Sequence, residues 1–394
     1  MALRFAKRMD NMKASEIREL LKLTQKPEVI SFAGGLPAPE LFPIEEMKKA
    51  ATKVLSEKGA AALQYGPTEG YNPLREKILK RMAKVKVNAT IDNILITSGS
   101  QQGLDFAARV FINPGDVIIC ESPTYLGAIN AFKACEPRFV EVPTDDNGMI
   151  LEELEKALKE NPNAKFIYVI PDFQNPSGKT WSLERRKGLV ELANKYNVAI
   201  VEDNPYGELR FEGEILPALQ HFDTEGRVVF LGTFSKILTP GLRLGWICAD
   251  QEVLSKFIMV KQGADLQSGT SAQMEVDQLL EDYDVEEHIK KIIEVYKRRK
   301  DLMIKTMEQE FPEGVTWTNP QGGLFTWVVL PEHLNARELA VKALEKNVAY
   351  VPGGAFFPNG GHENTFRVNY SNMSEERIVE GVKRLGEVLR EAVK

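Results

Sequence analysis

The chain has 394 residues, 43% apolar and 27% charged, with 50 basic against 56 acidic side chains and a net charge of −6. Its length exceeds the usual single core and predicts two domains, while mild acidity without long blocks of one sign argues against a nucleic-acid partner. Cys120, Cys135 and Cys248 are scattered, so they form neither a disulfide framework nor a metal site and fit a reducing compartment, the cytoplasm.

Met1–Asn11 carries charges and no apolar signal core, so export is not expected. No apolar run reaches the roughly 18 residues of a membrane span. Ser15–Leu23 reads as helix and Ser31–Pro43 as a Gly/Pro-rich extended segment. From about residue 90 to 250, short β-branched runs alternate with helical patterns. The strand candidates are Asn93–Thr97, Val117–Glu121, Arg138–Val142, Phe166–Ile170, Val198–Glu202, Val228–Gly232 and Gly245–Ala249. They are continuous apolar runs, as strands buried on both faces are. Between them lie helices such as Gln101–Ile112, with Leu104, Ala107, Ala108 and Phe111 at helical spacing. This predicts an α/β fold: a mostly parallel seven-stranded sheet flanked by helices. The last two strands lack a helix-length connection, which predicts one antiparallel member.

After a long charged helix, Val285–Phe311, shorter strands (Gly323–Leu330, Ala349–Val351, Thr365–Tyr370) surround helices at Ala336–Lys346 and Ser374–Val393. That is a smaller α+β domain, with which the first 45 residues are expected to pack. The division is therefore 46–300 for the large domain and 1–45 plus 301–394 for the small one.

In open α/β sheets, ligands bind beyond the carboxyl ends of the strands. Beyond Asn93–Thr97 comes Ser98-Gly99-Ser100-Gln101 opening a helix, suited to an anion; ordinary capping by Ser98 or Ser100 is the bland alternative. Tyr125, in a loop after Val117–Glu121, can stack on an aromatic ligand or simply pack. After Phe166–Ile170 the Asn175-Pro176 turn offers an amide donor. After Val198–Glu202, Asp203 is a carboxylate that needs a partner, for which a protonated ring nitrogen serves. Thr233-Phe234-Ser235-Lys236 ends an apolar strand; burial lowers a lysine pKa, as a Schiff-base amine requires. Each group alone reads as a satisfied loop residue, but five at five strand ends form a pattern.

Ser235-Lys236 with Arg243 seven residues on, Asp203 with Tyr206 three on, and Asn175-Pro176-Ser177-Gly178 resemble fold-type-I pyridoxal-phosphate enzymes of the class I/II aminotransferase family. Ser31-Phe32-Ala33-Gly34-Gly35-Leu36-Pro37, Tyr65-Gly66-Pro67-Thr68-Glu69-Gly70 and Pro352-Gly353-Gly354-Ala355-Phe356-Phe357 extend the likeness over essentially the whole chain. The nearest branch holds aromatic, 2-aminoadipate and kynurenine aminotransferases.

The resemblance implies pyridoxal 5′-phosphate as cofactor and transfer of an amino group from an L-amino acid of aromatic, 2-aminoadipate, glutamate or leucine type to a 2-oxo acid such as 2-oxoglutarate. The route is ping-pong through a Lys236 aldimine. It implies that Lys236, Asp203 and Tyr206 are catalytic, with Asp203 on the ring nitrogen and Asn175 and Tyr206 on the ring oxygen. Tyr125 stacks on the ring, while Ser100, Gln101, Thr233, Ser235 and Arg243 hold the phosphate. Many relatives carry serine where this chain has Thr233, a change that keeps the hydroxyl. Tyr65 reaches the phosphate from a neighbouring subunit, making a homodimer the working unit, and lies near substrate, as do Asn175 and Gly35. Arg367 grips the α-carboxylate, and Arg18 meets an acidic side chain or is simply a solvated helix charge. The same scaffold also serves carbon–sulfur lyases and decarboxylases. Regulators that place a winged-helix module before this domain need several tens more residues than precede Ser31, so that reading is not expected.

Overall fold

The computed structural model describes residues 3–10 and 26–393. The predicted Ser15–Leu23 helix and Arg18 lie outside the described residues. All seven predicted strands join one sheet, in the order Ile94–Thr97, Gly245–Cys248, Val228–Thr233, Ala199–Asp203, Ala164–Val169, Val117–Ser122, Arg138–Asp145. A two-residue eighth strand, Gly148–Met149, folds back antiparallel on Arg138–Asp145. Gly245–Cys248 is antiparallel to both its neighbours, and the other pairings among the seven are parallel.

The apolar runs follow from period-two geometry with both faces covered. Val117 and Ile119 enter one core with Ile167, Val169 and Ile200. The alternate residues Ile118 and Cys120 enter the opposite core with Phe166, Tyr168 and Val201. Helices such as Ser100–Phe111 and Leu183–Tyr196 supply the covering layers.

The Val285–Glu310 helix starts where the Asp284 carboxylate accepts the Glu286 and Glu287 N–H groups at 3.1 Å. At 26 residues it runs about 39 Å to the second sheet. That sheet is antiparallel, in the order Thr316–Trp317, Phe325–Val329, Thr365–Asn369, Val351–Pro352. The predicted single strand Ala349–Val351 is instead two. Val348–Ala349 pairs in parallel with Ile30–Ser31, whereas Val351–Pro352 pairs with Thr365–Asn369. Tyr350, fully buried and donating to Ala336 O at 2.6 Å, stands at the switch. Among the described residues no helix is long and apolar enough to cross a membrane.

Candidate active site

The carboxyl ends of five strands meet the second sheet around one cavity of about 1000 Å³. At one end the Ile94–Thr97 strand gives way to the Ser100–Phe111 helix, whose cap is Gly99 at φ 79° with no side-chain cap. Serine capping therefore does not occur; the Ser98 hydroxyl turns to Asp265 and Ser268. The Gln102 N–H turns back to Gly99 O at 3.2 Å, but the Ser100 and Gln101 N–H groups have no partner among the described residues, and both residues line the cavity. Gln101 is tied back to Gly127 O at 2.8 Å.

Arg243, itself at φ 51°, spans this opening. Its Nη2 donates to Ser98 O and its Nη1 to Ser235 Oγ, each at 3.4 Å, while the Thr233 hydroxyl donates to Ser235 Oγ at 2.9 Å. A side chain at Gly99 would collide with the Arg243 guanidinium. One at Gly245 would press on the Gly99 and Ser100 backbone, 2.8 Å away. A cationic fork, two hydroxyls and an open helix N-terminus make a phosphate cradle.

Asp203 ends the Ala199–Asp203 strand and is 2% exposed. Tyr168, on the adjacent strand, donates to its Oδ2 at 3.0 Å, but Oδ1 has no partner among the described residues. Burial raises its pKa to about 7, opposed by the Tyr168 bond. A protonated ring nitrogen would complete this carboxylate and restore its charge. Asn175 donates to Tyr206 Oη at 3.2 Å, bringing two groups able to bind a ring oxygen together. Tyr125 packs over Gly127, where any side chain would meet its ring. The donor set thus fits pyridoxal phosphate at three places: the phosphate cradle, the unpaired carboxylate oxygen, and the amide–phenol pair.

Lys236 follows the Val228–Thr233 strand into the same cavity, and its Nζ donates to Gly35 O at 2.7 Å. Burial, then the Arg367 and Arg243 charges, lower its pKa to about 8, so the amine loses its proton within reach of neutrality. Gly35 is closely approached: an added Cβ would lie 3.0 Å from the Phe325 ring, which would have to shift.

Arg367, on the Thr365–Asn369 strand, is 5% exposed. It donates to Asn175 Oδ1 at 2.8 Å and Ala33 O at 2.7 Å, and its Nε is unpaired among the described residues. Its guanidinium lies 4.1 Å from the Phe325 ring centroid and 5.1 Å from that of Phe356. Burial lowers its pKa to about 10. This is a desolvated planar cation short of an anion. Tyr65 does not join the cavity; it is 80% exposed, beside Gly66, whose N–H donates to Gln267.

Sequence reasoning missed Tyr168, whose hydroxyl matters only through the Asp203 carboxylate on the adjacent strand. It also missed Phe325 as a wall for Arg367, a contact across the second sheet with no local signature.

The profile of the family described as Aminotransferase class I and II matches residues 27–385. The chain is similar to aromatic-amino-acid aminotransferase 1 of Thermococcus litoralis, 49% identical over 99% of this chain and 95% of that one. It is 45% identical to the 2-aminoadipate transaminase of Thermus thermophilus, covering 98% and 96%. Among solved structures it is similar to the α-aminoadipate aminotransferase of Thermus thermophilus complexed with N-(5′-phosphopyridoxyl)-L-leucine. There the TM-score is 0.93 and the identity 43%, over 99% of this chain and 98% of that one. These names favour amino transfer over the lyase and decarboxylase alternatives.

Proposed function

Since the chain belongs to the class I and II aminotransferase family, transfers an amino group and uses pyridoxal 5′-phosphate, we propose that its donors are aromatic and 2-aminoadipate-type L-amino acids and its acceptor a 2-oxo acid such as 2-oxoglutarate. The observation that carries the site reading is the unpaired Asp203 Oδ1 in the same cavity as the Lys236 amine and the Arg367 fork. The relatives' substrates and a cavity bounded by both Arg367 and the Phe356 and Phe357 rings support the donor class.

Bound pyridoxal phosphate supplies an electron sink, holding the substrate nitrogen and drawing off the electron pair left at the α-carbon. Arg243, Ser100, Gln101, Thr233 and Ser235 hold the phosphate. Asp203 keeps a proton on the ring nitrogen by offering Oδ1 as its acceptor. Asn175 and Tyr206 bind the ring oxygen, and Tyr125 covers the ring face. Lys236 Nζ moves the proton between the substrate α-carbon and the cofactor; its lowered pKa suits both directions of transfer. Arg367 binds the α-carboxylate through its planar fork, oriented by Asn175, and Gly35 lets substrate approach the backbone.

Leu63 at 77%, Tyr65 at 80% and Leu266 at 55% exposure lie on one neighbourhood joined by the Gly66–Gln267 bond. Such a patch supports a homodimer in which Tyr65 reaches the partner's phosphate and substrate. Residues 46–300 form the cofactor domain and 1–45 plus 301–394 the small domain in this reading; three unpaired cysteines support a cytoplasmic setting. Arg18 is assigned to acidic side chains on sequence alone.

The test is a spectrophotometric screen of amino donors against 2-oxoglutarate. Phenylalanine, tyrosine and 2-aminoadipate should give the highest kcat/KM, with oxo-acid product formed in equal amount to glutamate. Preference for aspartate or alanine, or product without glutamate, would overturn the reading.

A further inference from the structure

We propose that Lys261 is a positioning residue for the phosphate cradle, acting through Gln102 on the backbone of Ser98 without touching the ligand. This rests on the phosphate reading of the cradle. Lys261 lies on the Gln251–Ala264 helix, near its end, where a lysine usually stays in solvent. Here its side chain is 0% exposed. Taking an ammonium out of water is costly unless all its donors find acceptors.

Two of the acceptors are local: Asp265, with both oxygens at 3.0 Å, and Ser268 Oγ at 3.0 Å. The third is not. Nζ also donates to Gln102 Oε1 at 3.0 Å, on the helix that opens the cradle. That same oxygen accepts the Ser98 N–H at 2.9 Å, while Gln102 Nε2 donates to Asp265 Oδ2 at 2.8 Å. The amide of Gln102 is therefore locked: turned over, its NH₂ would face an ammonium and an N–H.

Ser98 is thereby held on both sides, its N–H by Gln102 and its C=O by Arg243 Nη2. Its hydroxyl adds contacts to Asp265 and Ser268. The next residues are Gly99 and Ser100, where the open N–H groups begin. Fixing the peptide ahead of them aims those groups before any ligand arrives. Neither Lys261 nor Gln102 lines the cavity, so the effect is indirect.

Phosphate specificity separates this role from general support of the fold. Purified enzyme is stripped of cofactor, and dissociation constants for pyridoxal 5′-phosphate and for pyridoxal, which lacks the phosphate, are measured by fluorescence titration. Lys261→Met should weaken pyridoxal-phosphate binding about 10-fold or more and leave pyridoxal within about twofold, since only charge-assisted contacts to phosphate are disturbed. Gln102→Leu, which keeps the Lys261–Asp265 pair, should show the same selectivity and carries the test if Lys261→Met fails to fold. Equal losses for both ligands, or none, in these variants would overturn the role of Lys261. If the unmodified enzyme binds pyridoxal as tightly as pyridoxal phosphate, the cradle reading itself is wrong.

Discussion

Glu202 and Asp203 are consecutive residues of one buried strand, with side chains on opposite faces of the sheet. Burial raises the pKa of each to about 7. Their surroundings differ. Glu202 accepts the Leu219 N–H at 2.9 Å and the Gln220 N–H at 3.2 Å, one on each oxygen. Asp203 has Tyr168 on one oxygen and, among the described residues, nothing on the other. Two lysines repeat the contrast: Lys261 has Asp265, Ser268 and Gln102, whereas Lys236 has one carbonyl among the described residues. A perturbed pKa does not separate structural from chemical groups here. Completeness of partners does, because a buried group left incomplete beside a cavity is stable only when a ligand completes it.

Substitutions at the incomplete groups should cost turnover, and those at complete groups should cost stability. Lys236→Ala carries the largest effect: loss of turnover on the order of 10³-fold or more, with cofactor still retained through the cradle, measured by steady-state rate and absorbance. Asp203→Asn should slow single-turnover amino transfer roughly 100-fold or more, while Glu202→Gln leaves the rate within about twofold and lowers stability by about 1–3 kcal/mol. Similar rate losses for the two would break the distinction.

The same pair sharpens with pH. A carboxyl with a raised folded pKa binds protons when folded, so the stability it contributes at low pH is lost as pH rises toward about 7. Cofactor-free Asp203→Asn should therefore unfold at higher denaturant than cofactor-free wild type at pH 8, by up to about 4 kcal/mol, and the two should converge near pH 4. With cofactor bound the order at pH 8 should reverse.

Arg367→Lys keeps the charge and loses the fork, which predicts a fall of about 10- to 100-fold in kcat/KM, similar for aromatic and acidic donors. A loss confined to one donor class would move Arg367 away from the α-carboxylate. The smallest effect is at the exposed Tyr65. Tyr65→Phe should weaken cofactor retention by roughly 10-fold, and mixing it with Lys236→Ala should restore part of the activity if Tyr65 acts across a dimer. No recovery on mixing would remove it from the partner's site.

The large sheet was legible because doubly buried strands are uninterrupted apolar runs, so Asp203 and Lys236 stood out where those runs stop. The Gly148–Met149, Thr316–Trp317 and Ile30–Ser31 strands were not, because two residues carry no periodicity. Tyr168 was hidden because tyrosine is an ordinary strand former, and its hydroxyl matters only once the adjacent strand brings Asp203 beside it. Lys261 was hidden more completely, since a lysine near a helix end has a sufficient local reason to be there. Only the packing of its helix against Ser100–Phe111 makes it a buried hub.

The contrast between Lys236 and Lys261 gives the most direct measurement. Holoenzyme reduced with borohydride and digested should yield one cofactor-bearing peptide, spanning Lys236, because that amine stands in the cavity beside Gly35 O with a lowered pKa. Label on Lys261 or any other lysine, with Lys236 unmodified, would contradict the account at its centre.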